Sequence, residues 1–286
     1  YPYGLASGMV SSFVVEPIVT TAPLSSKPEK EDLVIYEILL RDFVHPHSYA
    51  VLQDTLDYLQ RLGINAIQLM PVQEFEGNEG WGYNPSYHMA LDKDYGSADA
   101  LRALVEECHS RGMAVILDVV YNHAFGQSPL ALLYWDGAQN RPAANNPWLN
   151  PIPKHDFNVG NDFNHESPAT KYFVKRVISW WMQTYGIDGF RFDLASGFTQ
   201  RNSLGNFNEW ARYDTSRINN IQEYADLMWS IDPESYVILE NFVDNSERKE
   251  LSSRGMMLWG NMSIEYGQAS KGFGGSDLGG SWWEHV

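Results

Sequence analysis

From residue 32 onward the apolar positions fall into two alternating textures. Short, near-continuous apolar runs give way to longer stretches where apolar residues recur at helical spacing. Leu33-Val34-Ile35-Tyr36-Glu37-Ile38-Leu39-Leu40 is the first run, as expected of a strand buried on both faces. Tyr49 to Leu62 places Leu52, Leu56 and Leu59 at helical spacing and stops at Gly63, a C′ glycine. Ile64 to Pro71 predicts a second strand. A second helix is predicted from Ser97, as N-cap, to Arg111, with Gly112 as its stop, and Met113 to Val120 is a third strand. The rhythm resumes with a helix from Pro168 to Tyr185, ended by Gly186, and a strand from Ile187 to Leu194. A helix over about Thr215 to Ser230, a strand from Tyr236 to Leu239, a short charged helix from Ser246 to Ser253 and a strand from Met256 to Trp259 complete the series.

Strand–helix alternation implies a parallel sheet with helices outside it. A doubly wound sheet is the alternative, but no G-x-G-x-x-G follows the first strand. The reading is therefore α/β, a TIM (β/α)8-type barrel, incomplete, with about six of the eight units the fold uses. Two regions break the rhythm. Residues 1–31 are rich in Pro, Ser, Thr and Val and read as a strand remnant and a linker. Residues 124–167 are rich in Pro, Asn and Trp, with no periodic element. So long a loop is usually functional, and it reads as a small subdomain after the third strand. The division is thus 1–31, then a partial barrel over 32–286 with 124–167 inserted.

Charge narrows the partners. The chain carries 36 acidic and 20 basic residues, a formal charge of −16. That argues against nucleic acid and against an anionic membrane surface, both of which call for clustered Lys and Arg. No apolar run reaches the ~18 residues of a membrane span. Cys108 is the single cysteine, so neither an intrachain disulfide nor a Cys-based metal site is possible; within its helical pattern it reads as a small buried hydrophobe. The start, Tyr-Pro-Tyr, has neither Met nor a signal pattern and reads as a processed or trimmed end. The compartment stays open, with a secreted or periplasmic one favoured. Trp, Tyr and Phe number 10, 16 and 13, which is 14% of the chain. These rings serve either a large core or a ligand with flat apolar faces and polar edges, such as a sugar.

In barrels of this kind the chemistry sits just past the C-terminal ends of the strands. The second strand is followed by Gly80-Trp81-Gly82-Tyr83-Asn84-Pro85. The third ends Asp118-Val119-Val120-Tyr121-Asn122-His123, the fourth carries Gly189-Phe190-Arg191-Phe192-Asp193, and the fifth ends Leu239-Glu240-Asn241. A hydrophobic strand has no packing reason to hold Asp193 or Glu240. One such acid alone could belong to a structural ion pair, but the set at one mouth points to a site. Paired carboxylates with aromatic walls suit glycoside hydrolysis, in which one attacks ionised and the other donates a proton. Arg191 lies two residues before Asp193 and points the same way along the strand, so it would hold Asp193 ionised. Glu240, after an apolar strand, would be kept protonated by desolvation.

The segments Asp118 to His123, Gly189 to Asp193 and Ile238 to Asn241 resemble ordered signature motifs of the α-amylase family of glycoside hydrolases. Asp162-Phe163-Asn164 resembles a further one, and the resemblance runs in order from about residue 33 to the end. It implies a catalytic (β/α)8 barrel that cleaves α-glucosidic bonds of starch-like glucans with retention. Asp193 would be the nucleophile, Glu240 the general acid and then the base, and Arg191 the holder of the nucleophile. Asp118 and His123 would shape and bind the sugar, with Tyr83 stacked under it. Trp81-Gly82-Tyr83-Asn84-Pro85 is similar to the branching, debranching and pullulanase-like members. Trp81, Tyr83, Trp135 and Trp148 are candidates for stacking on glucosyl rings, against core or loop packing as the alternative. Tyr1 to about Val19 resembles the tail of a β-sandwich carbohydrate-binding module. Calcium, held with help from Asn122 and Asp162, is implied by many relatives; two oxygens alone fall short of its usual 6–8. For Asn122 the alternative is a loop-stabilising hydrogen bond. The expected partner is an α-glucan or oligosaccharide.

Two departures qualify the resemblance. Ser196 stands where relatives often have the Lys credited with binding the leaving-side sugar. The family's third acid, in a His-Asp pair near a seventh strand, has no counterpart: the late acids Glu265, Asp277 and Glu284 follow no such pattern, and the chain stops about where that strand would begin. A branching or other transglycosylating enzyme, and an inactive glucan-binding fragment, are therefore the alternatives. A sugar-phosphate enzyme would want a Gly-rich phosphate loop after strands 7–8. The two carboxyl groups are expected ~5–5.5 Å apart, as in retaining enzymes.

Overall fold

A computed structural model describes residues 19–77, 79–157, 159–260 and 263–274. The expected sandwich tail over residues 1–18 lies outside them, as do Asp277 and Glu284. Six parallel strands form one sheet: β1 (Ile35–Ile38), β2 (Ala66–Leu69), β3 (Ala114–Val119), β4 (Gly189–Phe192), β5 (Tyr236–Glu240) and β6 (Met257–Trp259). Each strand pairs with the next in the chain, in order and in parallel. A doubly wound sheet reverses its strand order, whereas a barrel wall winds on in one direction. This is six strands of an incomplete TIM barrel.

The helices that return the chain are α1 (Leu56–Arg61), α2 (Ala98–Ser110), α3 (Pro168–Tyr185), α4 (Thr215–Ile231), α5 (Asn245–Ser253) and α6 (Ser263–Ser270). Their starts and stops follow the residues the pattern singled out. Ser97 Oγ accepts from Ala100 N–H at 3.2 Å to cap α2, Ser167 caps α3, and Gly186 ends α3 with φ +67°. The helix expected from Tyr49 to Leu62 is two pieces, Tyr49–Gln53 and α1, because the chain turns at Asp54 and Thr55. The first strand is also shorter than its apolar run, which turns helical at Leu40–Phe43.

Strand periodicity of two sorts the side chains into two layers. Ile67, Leu69, Val115, Leu117, Val119, Phe190, Phe192, Val237 and Leu239 face outward into the main core, packed on Leu104, Val177, Trp181, Ile221 and Met228 of the helices. Ala66, Ala114, Ile116, Tyr236 and Ile238 face the barrel interior, where Leu24 plugs the lower end. That interior stripe continues upward, at two-residue steps, into Gln68, Asp118, Arg191 and Glu240. The barrel has an apolar lower storey and a polar upper one.

Residues 19–31 lie against the foot of the barrel. Thr21 N–H donates to Thr184 O at 3.3 Å. The buried Asp188, just before β4, accepts from Leu24 N–H at 2.9 Å and Val115 N–H at 2.8 Å and sits 2.8 Å from His109 Nε2. Lys27 Nζ lies 2.6 Å from Asp232 and 3.5 Å from Asp188.

The region after β3 carries more order than its composition suggests. His123–Ala124 pairs with Asn161–Asp162, Trp135–Asp136 pairs with Arg141–Pro142, and Pro129–Leu132 is one helical turn. A small core of Ala124, Ala131, Leu149 and Phe163 holds it, with Trp135 and Trp148 packed on it. Between β2 and α2, Gln73–Phe75 and Pro85–Leu91 form a hairpin that the apolar pattern does not reveal.

Candidate active site

Arg191 is the centre of the upper storey. Its register on β4 puts it beside Asp118 of β3 and Ile238 of β5. One guanidinium nitrogen, Nη1, donates to Asp118 Oδ1 at 3.0 Å and to Asp193 Oδ1 at 2.9 Å; the other, Nη2, lies 3.0 Å from Glu240 Oε1. The Trp259 ring lies below it, 5.7 Å from Cζ. Burial works against this charge, yet Asp118, Glu240 and Asp193 outweigh it and hold the guanidinium protonated well above its ordinary range.

The two outer carboxylates differ from the inner one. The side chains of Asp193 and Glu240 keep 17% and 15% exposure, whereas Asp118 keeps none. Burial pushes Asp193 up, and Arg191 and a hydrogen bond with Glu240 pull it back. Burial also pushes Glu240 up, Arg191 opposes, and both the charge of Asp193 and the shared hydrogen bond push it further. The shared proton therefore belongs on Glu240 and the negative charge on Asp193. Burial pushes Asp118 up to about 8 against the pull of Arg191, and the Tyr83 hydroxyl donates to its Oδ2 at 2.7 Å.

Local backbone sets these positions. Leu194, immediately after Asp193, adopts the left-handed region with φ 44° and ψ 47°, which is uncommon for a residue with a Cβ. Its N–H thereby reaches Glu240 Oε2 at 2.9 Å. Gly82 has φ +90°, and a Cβ there would stand 2.7 Å from Pro71 O. Only glycine can make that turn, which delivers Tyr83 to Asp118. His123 is buried, with Nε2 donating to Tyr83 O at 2.8 Å and Nδ1 accepting from the Asn122 amide at 3.3 Å. It braces the tyrosine from behind.

The structure brings together Asp118, Arg191, Asp193, Glu240, Tyr83 and His123. Trp81 stands on the same loop with 61% exposure. Trp135 and Trp148 serve the packing of the loop region, Trp148 edge-on to Tyr134 at 5.9 Å. Trp259 and the Leu194 N–H were not legible beforehand. The first lies inside an apolar strand like any core ring, and the second depends on a backbone conformation no side chain announces.

Asn122 and Asp162 also meet, in a sealed pocket with His155 and Gly197. Asn122 Oδ1, Asp162 Oδ1 and both ring nitrogens of His155 are buried without a hydrogen-bond partner, and His155 Nε2 is 3.8 Å from Asp162 Oδ1. Asp162 Oδ2 accepts from Asn150 Nδ2 and from Lys154 N–H. Two unpartnered side-chain oxygens and an imidazole do not by themselves complete the oxygen shell of calcium. Among the described residues no group of three or more His, Cys, Asp and Glu converges as a metal site.

The profile described as "Alpha amylase, catalytic domain" matches residues 50–130. A malto-oligosyltrehalose trehalohydrolase of Saccharolobus solfataricus is 34% identical over 172 residues, 59% of this chain and 28% of that protein. Over these residues the chain is similar to the α-amylase family. A chloroplastic isoamylase of Zea mays is 34% identical over 207 residues, 61% of this chain and 26% of its own length. The barrel also recurs in solved structures. The pullulanase type I of Bacillus subtilis complexed with maltose superposes with a TM-score of 0.63 at 24% identity, over 79% of this chain and 33% of that one. An Anoxybacillus α-amylase gives 0.66 at 23% identity, over 86% and 55%. The chain spans under a third of the length of these curated relatives.

Proposed function

We propose that this chain carries the bond-cleaving site of a glycoside hydrolase that acts on α-glucosidic bonds of starch-like glucans with retention. The observation that carries the reading is the placement of Asp193 and Glu240 on neighbouring strand ends, both on Arg191, with the proton favoured on Glu240. An inverting enzyme holds its acid and base far enough apart to admit a water molecule; two carboxylates on one guanidinium, Asp193 Oδ1 at 2.9 Å and Glu240 Oε1 at 3.0 Å, favour the shorter separation of a retaining enzyme.

In the proposed first step an Asp193 oxygen attacks the anomeric carbon while Glu240 gives its proton to the departing glycosidic oxygen. In the second, Glu240 takes a proton from water, and that water displaces Asp193. Arg191 stays charged throughout, so it stabilises Asp193 when it is anionic and Glu240 once its proton has gone. The Leu194 N–H favours the same anionic Glu240. Tyr83 supplies an aromatic wall, and its hydroxyl fixes Asp118 for contact with sugar hydroxyls.

The test is the anomeric configuration of the first product, followed by NMR as a maltooligosaccharide is cleaved. An α product is expected, and a β product overturns the reading. Glu240→Gln should lower the rate by about 10²–10⁴-fold, the span of general acid catalysis, with a smaller loss on a substrate whose leaving group needs no proton. An unchanged rate on both substrates removes Glu240 from the mechanism.

A further inference from the structure

Outside the carboxylates, an aromatic cluster joins the loop at Phe157 to the short helix Phe207–Ala211. Phe157 stacks on Trp210 with ring centroids 4.4 Å apart and 29° between planes. Phe207 meets Phe157 edge-on at 5.9 Å and Trp210 at 5.7 Å. Trp210 is buried, but Phe157 and Phe207 remain 45% and 37% exposed. One face of Phe157 is thus occupied by Trp210, and its exposure belongs to the rest of the ring. Leu204, on the turn before Phe207, is 44% exposed. Scattered exposed rings need no explanation, whereas rings gathered from two loops into a patch do.

The patch is built. Ser203 N–H donates to Lys154 O at 2.8 Å and its hydroxyl donates to the same carbonyl at 3.1 Å. Gly205 N–H donates to Asp156 Oδ2 at 2.7 Å. These bonds pin the two loops together on either side of the rings. Asn202, Asn206 and Asn208 stand exposed along the same segment. Flat apolar faces bordered by amide groups suit a sugar ring, whose own faces are apolar and whose edges are hydroxyls.

The patch is also linked, through buried side chains, to the loop that follows Asp193. The His155 ring lies 5.9 Å from Trp210, and a Cβ on Gly197 would touch His155 Nε2 at 2.8 Å. Arg217 Nη1 donates both to Trp210 O and to Ser196 O. Ser196 and Gly197 belong to the loop that follows Asp193. From nucleophile loop to patch is one layer of side chains.

We propose that Phe157 and Phe207, backed by Trp210, form a second glucan-binding shelf, on which glucosyl units of an α-glucan stack away from the bond being cleaved. This rests on the α-glucan reading above. Stacking on rings needs no linkage-specific contact, so the shelf takes any maltooligosaccharide long enough to reach it.

The test is calorimetric titration of the protein with maltose and with maltoheptaose, in an Asp193→Asn background so that nothing is cleaved. Phe157→Ala/Phe207→Ala should weaken maltoheptaose about tenfold, the equivalent of roughly 1.4 kcal/mol, and leave maltose unchanged. Phe157→Trp, which keeps a stacking face, should hold maltoheptaose as tightly as the parent. Unchanged maltoheptaose affinity in a folded double variant overturns the shelf. So does a change in sedimentation with no change in affinity, which would assign the patch to a second copy. If the double variant does not fold, Phe207→Ala alone decides by the same criterion. Failure of the parent to bind either sugar overturns the glucan reading itself, a result distinct from loss confined to the shelf.

Discussion

Arg217 offers the sharpest test of how the site is held. Its side chain is 1% exposed, and that of Glu247 is sealed entirely. Nε and Nη2 form a bidentate pair with Glu247 at 2.7 and 2.6 Å, and further N–H groups donate to the carbonyls of Ser196, Trp210 and Arg212 at 3.1, 3.0 and 2.9 Å. Glu247 accepts in addition from Asp214 N–H at 2.9 Å and Asn241 Nδ2 at 3.4 Å. Three residues past Asp193 and one past Glu240 are thereby tied to a single ion pair. Arg217→Met keeps the length of the chain but leaves a sealed carboxylate and three carbonyls short of donors. Breaking a buried pair costs about 3–5 kcal/mol, a factor of roughly 10²–10³·⁵ in the folding equilibrium. Glu247→Leu, which strands the buried guanidinium, should fall in the same range. Arg217→Met combined with Glu247→Leu should cost well under the sum, because no uncompensated charge remains. Urea unfolding of the four proteins at neutral pH, read as midpoint at constant slope, gives all three differences. A single variant within about 1 kcal/mol of the parent, or a double variant that is strictly additive, would refute the reasoning.

Other expectations follow from the buried imidazoles and from one glycine. His165 is fully buried, with Nε2 donating to Tyr121 O at 2.7 Å and Nδ1 accepting from the Tyr224 hydroxyl at 2.8 Å. Burial pushes its pKa down to about 3. The unfolded chain, near the ordinary value of about 6.5, takes the proton first, so this group's contribution is intact above pH ~6.5 and is lost as pH falls toward 3. Stability measured at intervals between pH 6.5 and 4 should fall less steeply in His165→Gln, by up to about 1.4 kcal/mol per unit; coincident slopes would contradict the assignment. Burial also raises Asp92, to about 6, with the opposite sign, and that contribution is common to both proteins. Gly197→Ala would drive a methyl into the Asn122 side chain and toward His155. It should lower stability by about 1–3 kcal/mol, and adding Asn122→Ala should restore part of the loss, as read in thermal midpoints. An unshifted midpoint for Gly197→Ala would show that the pocket gives way freely.

The parallel wall was legible because its strands are apolar on both faces and its helices are not, and Gly63, Gly112 and Gly186 mark the stops. The polar upper storey was legible for the same reason: an acid in such a strand has nowhere to go but the mouth. Other parts were hidden by physics that a one-dimensional pattern does not carry. Pro85 to Leu91 pairs with Gln73 to Phe75 through shifted register, so neither run alternates cleanly. Arg217 on an amphipathic helix reads as a solvent-facing cation, and only the folded chain shows Glu247 opposite it. The Phe157–Trp210 stack joins residues that share no local periodicity. The short helix Phe207–Ala211 is too brief to impose a pattern. Roles carried by family likeness still have to be borne by contacts, and the hydrogen bonds of His123 run to Tyr83 O and the Asn122 amide, which no spacing announces.

The cluster at Asp188 bears on where this barrel can be cut. Composition draws a line at residue 31, with a linker on one side and a barrel on the other. The hydrogen bonds draw it elsewhere. A chain shortened to begin at Asp32 would strip Leu24 from the barrel floor and remove Leu24 N–H and Lys27 from a sealed carboxylate at the root of the strand that bears Arg191. The strand would lose its mooring below while its head still has to hold three acids around one cation. A linker by composition is here the keel of the strand that carries Arg191, and a shortened version that keeps the barrel upright has to start at or before Thr21.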